Sequence, residues 1–387
     1  MNKINLDKKT IELVREKHKE CINCKLCFDV CPMMKEYSSS PKELMIDIVE
    51  NKNIDKNIPY SCMLCSICKV KCPKDIDLKE MFYDIRRDIM SSNYKNIKNL
   101  GYNTIKFHQI NSFSPIFSRS YINNKTKKIF LPGCSLSSYS PDIVIKTYDY
   151  LKSHIDDISL AVECCGKPTL AMGDEKKFKK YYSKLDNIFK ENKIEEVIVA
   201  CPNCFDTIRN SSKDIKVTSL WSVINEFKIP NEIKKHYDDI EQEFSLHDPC
   251  PIRYESKIHD DVRDILKDLG VKIVEFDKNR DKSECCGAGA MVRVTNPEIS
   301  IKQTNKRANE AKSDTVVSYC ESCCESMMSV GKNSIHILDF IFNEDVINKK
   351  KFAQNRTSVI HKWKMRYKTV QKGKIINFNG DIYCEKE

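Results

Sequence analysis

Cys21-Ile-Asn-Cys-Lys-Leu-Cys-Phe-Asp-Val-Cys-Pro32 and Cys62-Met-Leu-Cys-Ser-Ile-Cys-Lys-Val-Lys-Cys-Pro73 are two copies of one pattern, C-x2-C-x2-C-x3-C-P. In this pattern three closely spaced thiolates wrap three corners of an iron–sulfur cubane. The fourth thiolate, just before the proline, reaches across to the other cluster. The reading assigns Cys21, Cys24, Cys27 and Cys72 to one [4Fe-4S] cluster, and Cys62, Cys65, Cys68 and Cys31 to a second. Competing chemistries fit worse. Disulfides suit small secreted domains, and Met1 to Lys9 does not read as a signal peptide. Zinc takes paired C-x2-C knuckles well separated along the chain. Here four cysteines fall within eleven residues, twice.

The chain has 387 residues, 41% of them hydrophobic, which predicts two to three domains with real cores. No apolar stretch approaches twenty residues, so no transmembrane segment is expected. Twenty cysteines without a targeting segment predict a reducing cytoplasm, with any membrane association made through a partner. The formal charge of +10 overstates the field. Each cubane with its four thiolates carries about −2 when oxidised, so two bring roughly −4. No basic stripe with interleaved aromatics lies in the folded part, which argues against nucleic acid.

Residues 1–100 read as a helical dicluster domain. Thr10–Lys19, Pro41–Glu50 and Leu78–Met90 carry apolar residues at helical spacing, such as Met81, Phe82, Ile85 and Ile89. Residues 101–126, rich in Asn and Ser with Ser114-Pro115, read as a linker whose aromatics pin it to a neighbouring surface. From residue 127 the chain repeats itself. Lys128–Cys134 answers Phe244–Cys250, Glu163–Gly166 answers Glu284–Gly287, and Val197–Cys204 answers Val316–Cys323, at offsets of 116, 121 and 119 residues. This sets one copy at 127–230, a second at 231–348, and a basic tail at 349–387. Short β-branched runs alternate with amphipathic helices such as Glu175–Glu191 and Pro297–Lys312. The alternation predicts an α/β unit with a small, mostly parallel sheet.

In each copy the cysteines follow the C-terminal ends of predicted strands, the edge where ligands bind in open parallel sheets. Cys134, Cys164, Cys165, Cys201 and Cys204 should therefore converge on one site. Cys250, Cys285, Cys286, Cys320 and Cys323 should converge on another. Gly166 and Gly287 after each Cys-Cys pair permit a turn that a Cβ would resist. Five thiols at one strand edge point to metal rather than to packing.

The spacing C-x29-CCG-x34-CPNC, with its second copy at Cys250 to Cys323, resembles the cysteine-rich CCG domain. A dicluster ferredoxin module followed by two CCG domains is similar to the layout of the heterodisulfide reductase catalytic subunit. The iron–sulfur subunits of anaerobic glycerol-3-phosphate dehydrogenase, glycolate oxidase and lactate utilisation systems share it. The resemblance implies an α+β and α/β architecture, a helical ferredoxin-like domain followed by two duplicated α/β units. It implies up to two non-cubane [4Fe-4S] clusters, one on each five-cysteine set, beside the two cubanes. It further implies an oxidoreductase acting on a disulfide or related thiol couple, with the Cys250 to Cys323 set catalytic. Two facing clusters would each take one sulfur of a cleaved bond, avoiding a released thiyl radical. His247, three residues before Cys250, is a candidate proton donor to a leaving thiolate. Cys324 directly follows Cys323 and has no counterpart in the first copy, where Phe205 stands.

The alternative reading is an electron-transfer subunit for a flavin-dependent dehydrogenase of a 2-hydroxy acid or glycerol 3-phosphate. No G-x-G-x-x-G follows a strand, and Gly287-Ala-Gly289 belongs to the CCG turn, so no flavin or NAD is expected on this chain. The expected partners are a redox subunit, namely a flavoprotein, a ferredoxin or a membrane anchor, and a small-molecule disulfide or other acceptor. Between Lys349 and Lys374 stand ten Lys or Arg residues and no acidic one, with Trp363, Met365 and Tyr367 interleaved. The tail is thus expected to be either a solvated extension or a docking strip for an acidic partner. Cys384 falls outside every set and reads as a free thiol.

Overall fold

In the computed structural model residues 2–352 and 358–378 are described, and Cys384 lies outside them. The N-terminal unit is helical, as its apolar spacing predicts. Helices Lys8–Glu20, Pro41–Asn51 and Leu78–Asn93 close over Val14, Ile48 and Ile85, none of which reaches solvent. Ser40 starts the second of these helices. Its Oγ accepts from the Glu43 amide at 3.1 Å, and Pro41 holds the first helical position. The only strands of the unit among the described residues are β1 (Lys3–Asn5) and β2 (Asn53–Asp55), paired antiparallel. Both cysteine motifs share one backbone device. Asn23 and Lys25 in the first, and Leu64 and Ser66 in the second, hold positive φ and curl the chain between successive cysteines.

Residues 101–126 are less irregular than a linker reading implies. They hold helix Tyr102–Ser112 and strand β3 (Arg119–Ser120). The sequence signal is weak because little of the helix is apolar on one face. Tyr102, Ile105, Gln109 and Ser112 are nevertheless buried at spacings of three and four.

The two repeats fold alike. The first contributes β4 (Lys128–Leu131), β5 (Ile158–Val162), β6 (Glu196–Val199) and β7 (Lys216–Ser219), in the order β5-β4-β6-β7. The second contributes β8 (Phe244–His247), β9 (Ile273–Glu275), β10 (Thr315–Ser318) and β11 (Asn333–His336), in the matching order β9-β8-β10-β11. All these pairs are parallel, while β3 adds an antiparallel edge to the first sheet. Buried β-branched runs such as Val197-Ile198-Val199 suit strands covered on both faces. Helix Glu175–Glu191 buries Phe178, Tyr182, Leu185 and Phe189 and is capped by Asp174, as its period predicts.

The copies meet by reciprocal contacts. Helix Leu220–Phe227 packs on Ser256–Leu269, and Pro141–Lys152 packs on the equivalent pair member Ile337–Phe342. Helix Pro202–Ser211 meets the turn at Cys250–Ile252, and helix Glu321–Met328 meets Cys134–Tyr139. Each contact has its mirror, which is the arrangement of a pseudo-two-fold axis. A buried carboxylate stands at each of the two helix pairs. Asp261 accepts from Ser222 at 2.5 Å and Asn225 at 2.9 Å, and Asp339 accepts from Tyr139 at 2.8 Å.

Arg86 ties the helical unit to both copies. The side chain is wholly buried and donates to the carbonyls of Pro59 and Cys62 at 2.6–2.9 Å. It also donates to Ala171 in the first copy at 2.6 Å and Ala290 in the second at 3.2 Å. The basic tail includes helix Val359–Phe378, which lies against Cys134–Tyr139 and Pro141–Lys152. Arg366, Thr369, Val370 and Gly373 are buried there, while Lys364 and Lys368 face outward. The helix is therefore in part a core element, and its basic composition conceals an inward face at spacings of three and four.

Candidate iron–sulfur centres

Each N-terminal motif ends in a short helix, Leu26–Val30 or Ile67–Lys71, and the two helices pack on each other. This brings the proline-flanked cysteine of each motif to the other's loop. One cavity is lined by Cys21, Cys24, Cys27 and Cys72, with Met45 and Leu78 among its apolar walls. The other is lined by Cys31, Cys62, Cys65 and Cys68, with Met63 and Phe82. Burial, and then neighbouring Cys72, pushes the Cys27 thiol up to about 12. Burial pushes Cys62 up to about 12 and Cys31 up to about 11, with Cys65 beside both. Four soft donors in an apolar cradle cannot stay ionised without a compensating cation. The donor sets thus fit the [4Fe-4S] groups. Cys24 is exposed, so the first set reaches the surface.

The cysteines of each repeat gather at the C-terminal edge of its sheet. In the first, the Cys164 thiol donates to Cys134 and lowers it, and Cys204 does the same for Cys201. Cys165 contacts Cys204 and closes the set. In the second, Cys285 contacts Cys250, Cys286 and Cys65. Cys286 accepts from Cys285 and Cys323 and lies well below the ordinary thiol range. Cys320 contacts Cys323 and senses Cys201 of the first copy. Gly166 (φ +74°) and Gly287 (φ +91°) turn the chain after each Cys-Cys pair. A Cβ on Gly287 would collide with Thr304 Oγ1, so only glycine fits. Five crowded thiols per site, seven of the ten buried and the others half-buried, fit a multi-iron group better than a single ion.

His247 stands at the end of β8, within 4.8 Å of the Cys286 and Cys323 ligand atoms. Arg307 donates to its Nδ1 at 3.2 Å, which leaves the imidazole proton on Nε2. Burial first, with Arg307 adding, lowers the His247 pKa, so the ring is held neutral. Cys324 is buried and donates to the Ser318 carbonyl at 3.9 Å.

Several site neighbours carry no local sequence signal. Arg253, 2% exposed, donates to the Cys65 carbonyl at 2.9 Å and fixes the second copy to the second cubane loop. Glu284 pairs with Lys278 and with Lys306, the latter at 2.5 Å. Its counterpart Glu163 instead accepts from Ser118 and from Ser120, the latter at 3.0 Å. Gln109 donates to the Cys164 sulfur at 3.6 Å. Arg366 contacts Cys134 from the C-terminal helix. The helical spacing of Trp363, Arg366, Val370 and Gly373 is the one hint that the sequence offers.

Comparison with known proteins agrees with this arrangement. The cysteine-rich domain family CCG matches residues 130–209 and 244–328, and the 4Fe-4S dicluster domain family matches residues 20–77. An uncharacterized iron–sulfur protein of Methanococcus maripaludis is 26% identical over 349 residues, covering 80% of this chain and 67% of that protein. A fumarate reductase (CoM/CoB) subunit of Methanothermobacter marburgensis is 21% identical, covering 85% of this chain and 73% of that one. A dihydromethanophenazine:CoB–CoM heterodisulfide reductase subunit of Methanosarcina acetivorans is 23% identical, covering 72% and 74%. No helix among the described residues is long and apolar enough to cross a membrane. With its paired thiol cradles and its two five-cysteine strand edges, the chain belongs to the iron–sulfur proteins that join a 4Fe-4S dicluster domain to CCG cysteine-rich domains.

Proposed function

We propose that this chain is the electron-transferring iron–sulfur subunit of an oxidoreductase, and that its CCG sites carry out disulfide–thiol redox chemistry. One observation carries the reading: the four cysteine sets follow one another without a break. The Cys21, Cys24, Cys27 and Cys72 cradle adjoins the Cys31, Cys62, Cys65 and Cys68 cradle through the packed helices. Cys65 contacts Cys285 of the second repeat, and Cys320 of that repeat neighbours Cys201 of the first. Bound iron–sulfur clusters supply one-electron transfer, two cubanes on the first two sets and non-cubane clusters on the other two. The chain's own part is to hold the ligands, exclude water and fix the neighbouring charges.

The exposed Cys24, flanked by exposed Ile22 and Leu26, supports a partner meeting the first set. A flavoprotein, a ferredoxin or a membrane anchor protein would dock there. The names of the reductase relatives support both the disulfide chemistry and a multi-subunit setting. His247, neutral with its proton on Nε2 and with a ring nitrogen within 4.8 Å of the Cys286 sulfur, would serve as a hydrogen-bond donor to that sulfur. Burial favours this over a proton-donor role.

Anaerobic reconstitution should give about sixteen irons per chain, as four [4Fe-4S] groups require. Cys285→Ser or Cys286→Ser should abolish reduction of a small-molecule disulfide by an artificial donor while the cubane EPR signals persist. Full activity in either variant would move the chemistry elsewhere. It would favour the second reading, a relay for a flavin-dependent 2-hydroxyacid or glycerol-3-phosphate dehydrogenase.

A further inference from the structure

The two five-cysteine sets face different surroundings. Under the pseudo-two-fold relation, Cys134 and Cys164 of the first copy answer Cys250 and Cys285 of the second. Cys285 is met by Cys65 of the helical unit, with Arg253 holding the adjoining loop. The first pair is met by elements from outside both repeats. Gln109 of helix Tyr102–Ser112 donates to Cys164, and its Oε1 accepts from Thr169 Oγ1 at 2.9 Å, which fixes the amide. Helix Val359–Phe378 covers the helix that begins at Cys134, and Thr369 Oγ1 donates to the Ser137 carbonyl at 2.7 Å.

Arg366 of this helix is 1% exposed. Its guanidinium donates to the Phe117 carbonyl at 2.8 Å, and to the Ser112 carbonyl at 3.0 Å and hydroxyl at 3.2 Å. None of these acceptors carries charge. The titratable groups nearest its charge are Cys134, Cys164 and Glu163. A buried guanidinium keeps its charge, so a fixed cation is built into the first site. Its neighbours lock it in place, and Trp363 packs against Phe117 and His108 with ring centres 4.7 and 5.2 Å apart.

We propose that Arg366 is a positioning and tuning residue of the first CCG site, raising the reduction potential of the cluster held by Cys134, Cys164, Cys165, Cys201 and Cys204. A cluster that gains an electron becomes more negative, and a buried cation beside its ligands favours the reduced form. The first cluster is then a better acceptor for electrons arriving through Cys65 and the second set than it would be without the guanidinium. The inference rests on the reading that this set holds a cluster.

The test is a potentiometric EPR titration of the reconstituted full chain. Arg366→Gln should move the midpoint of the first CCG cluster to a more negative value and leave both cubane midpoints unmoved. Arg366→Lys, which keeps the charge but loses the guanidinium bonds, should stay close to wild type. If Arg366→Gln does not fold, Arg366→Met, with an uncharged chain filling the space, takes its place. Equal shifts in the Lys and neutral variants would show that helix placement, not charge, sets the potential, and would overturn the proposal. An unmoved midpoint in the neutral variant would overturn it too. A first set that binds no iron in the wild type would overturn the cluster reading and the inference together.

Discussion

Cys72 belongs by sequence to the second motif, yet it lines the cradle of Cys21, Cys24 and Cys27. Cys72→Ser should therefore remove or convert the cluster of the first motif and spare that of Cys62, Cys65 and Cys68. EPR of the reconstituted variant reads this directly, and loss of the second cluster instead would refute the crossed ligation. The cysteines are legible in the sequence because thiolate spacing is local chemistry. The polar groups around them are not. Gln109, Arg253 and Arg366 reach the sulfurs or their loops from distant segments, and no spacing rule relates Arg366 to Cys134. His247 is legible as a neighbour of the site, but its tautomer depends on Arg307, sixty residues away.

At the scale of the element, the junction of helices Leu220–Phe227 and Ser256–Leu269 turns on Asp261. Burial opposes its ionisation, but Lys257 and the Ser222 and Asn225 donors outweigh burial and hold it below the usual carboxylate range. A depressed pKa contributes stability that is present above the unfolded value of about 3.9 and lost as pH falls through the folded value. Asp261→Asn should lower stability at neutral pH by about 1–2 kcal/mol. The gap to wild type should narrow below about pH 4. Thermal melts of both proteins across pH 3 to 7 check this, and a constant gap would assign the loss to packing. Helices with a strong apolar stripe, such as Glu175–Glu191, are readable to the residue. Helix Tyr102–Ser112 is not, because it buries Gln109 and Ser112 along with Tyr102 and Ile105. The tail helix is hidden for a related reason, since a buried arginine counts as surface in any composition-based reading.

At the scale of the whole molecule, the three folded units are fastened at a few buried points. Arg86 serves carbonyls in all three. Each buried acceptor left unpaired costs roughly 1–3 kcal/mol. Arg86→Met should thus destabilise by more than about 3 kcal/mol and free the helical unit from the repeats. Limited proteolysis should then release that unit intact. Truncation after Asn348 would strip the cover from Cys134–Tyr139 and expose Tyr121, which packs against the deleted helix. It should therefore lower the melting temperature and the occupancy of the first CCG set while both cubanes persist. Unchanged iron content would show the helix to be dispensable for assembly.

The reciprocal packing of the two repeats has a bearing on ancestry. Contacts that occur in mirrored pairs are those of an isologous homodimer. A gene encoding one repeat would, on this geometry, yield a symmetric dimer with two equivalent sulfur-lined sites. Two copies joined in tandem are free of the sequence identity that a homodimer imposes. In this chain one half meets the cubane-bearing unit at its cysteine edge, and the other a helix carrying the buried Arg366. Symmetry breaking of this kind turns two equivalent sites into two with distinct surroundings.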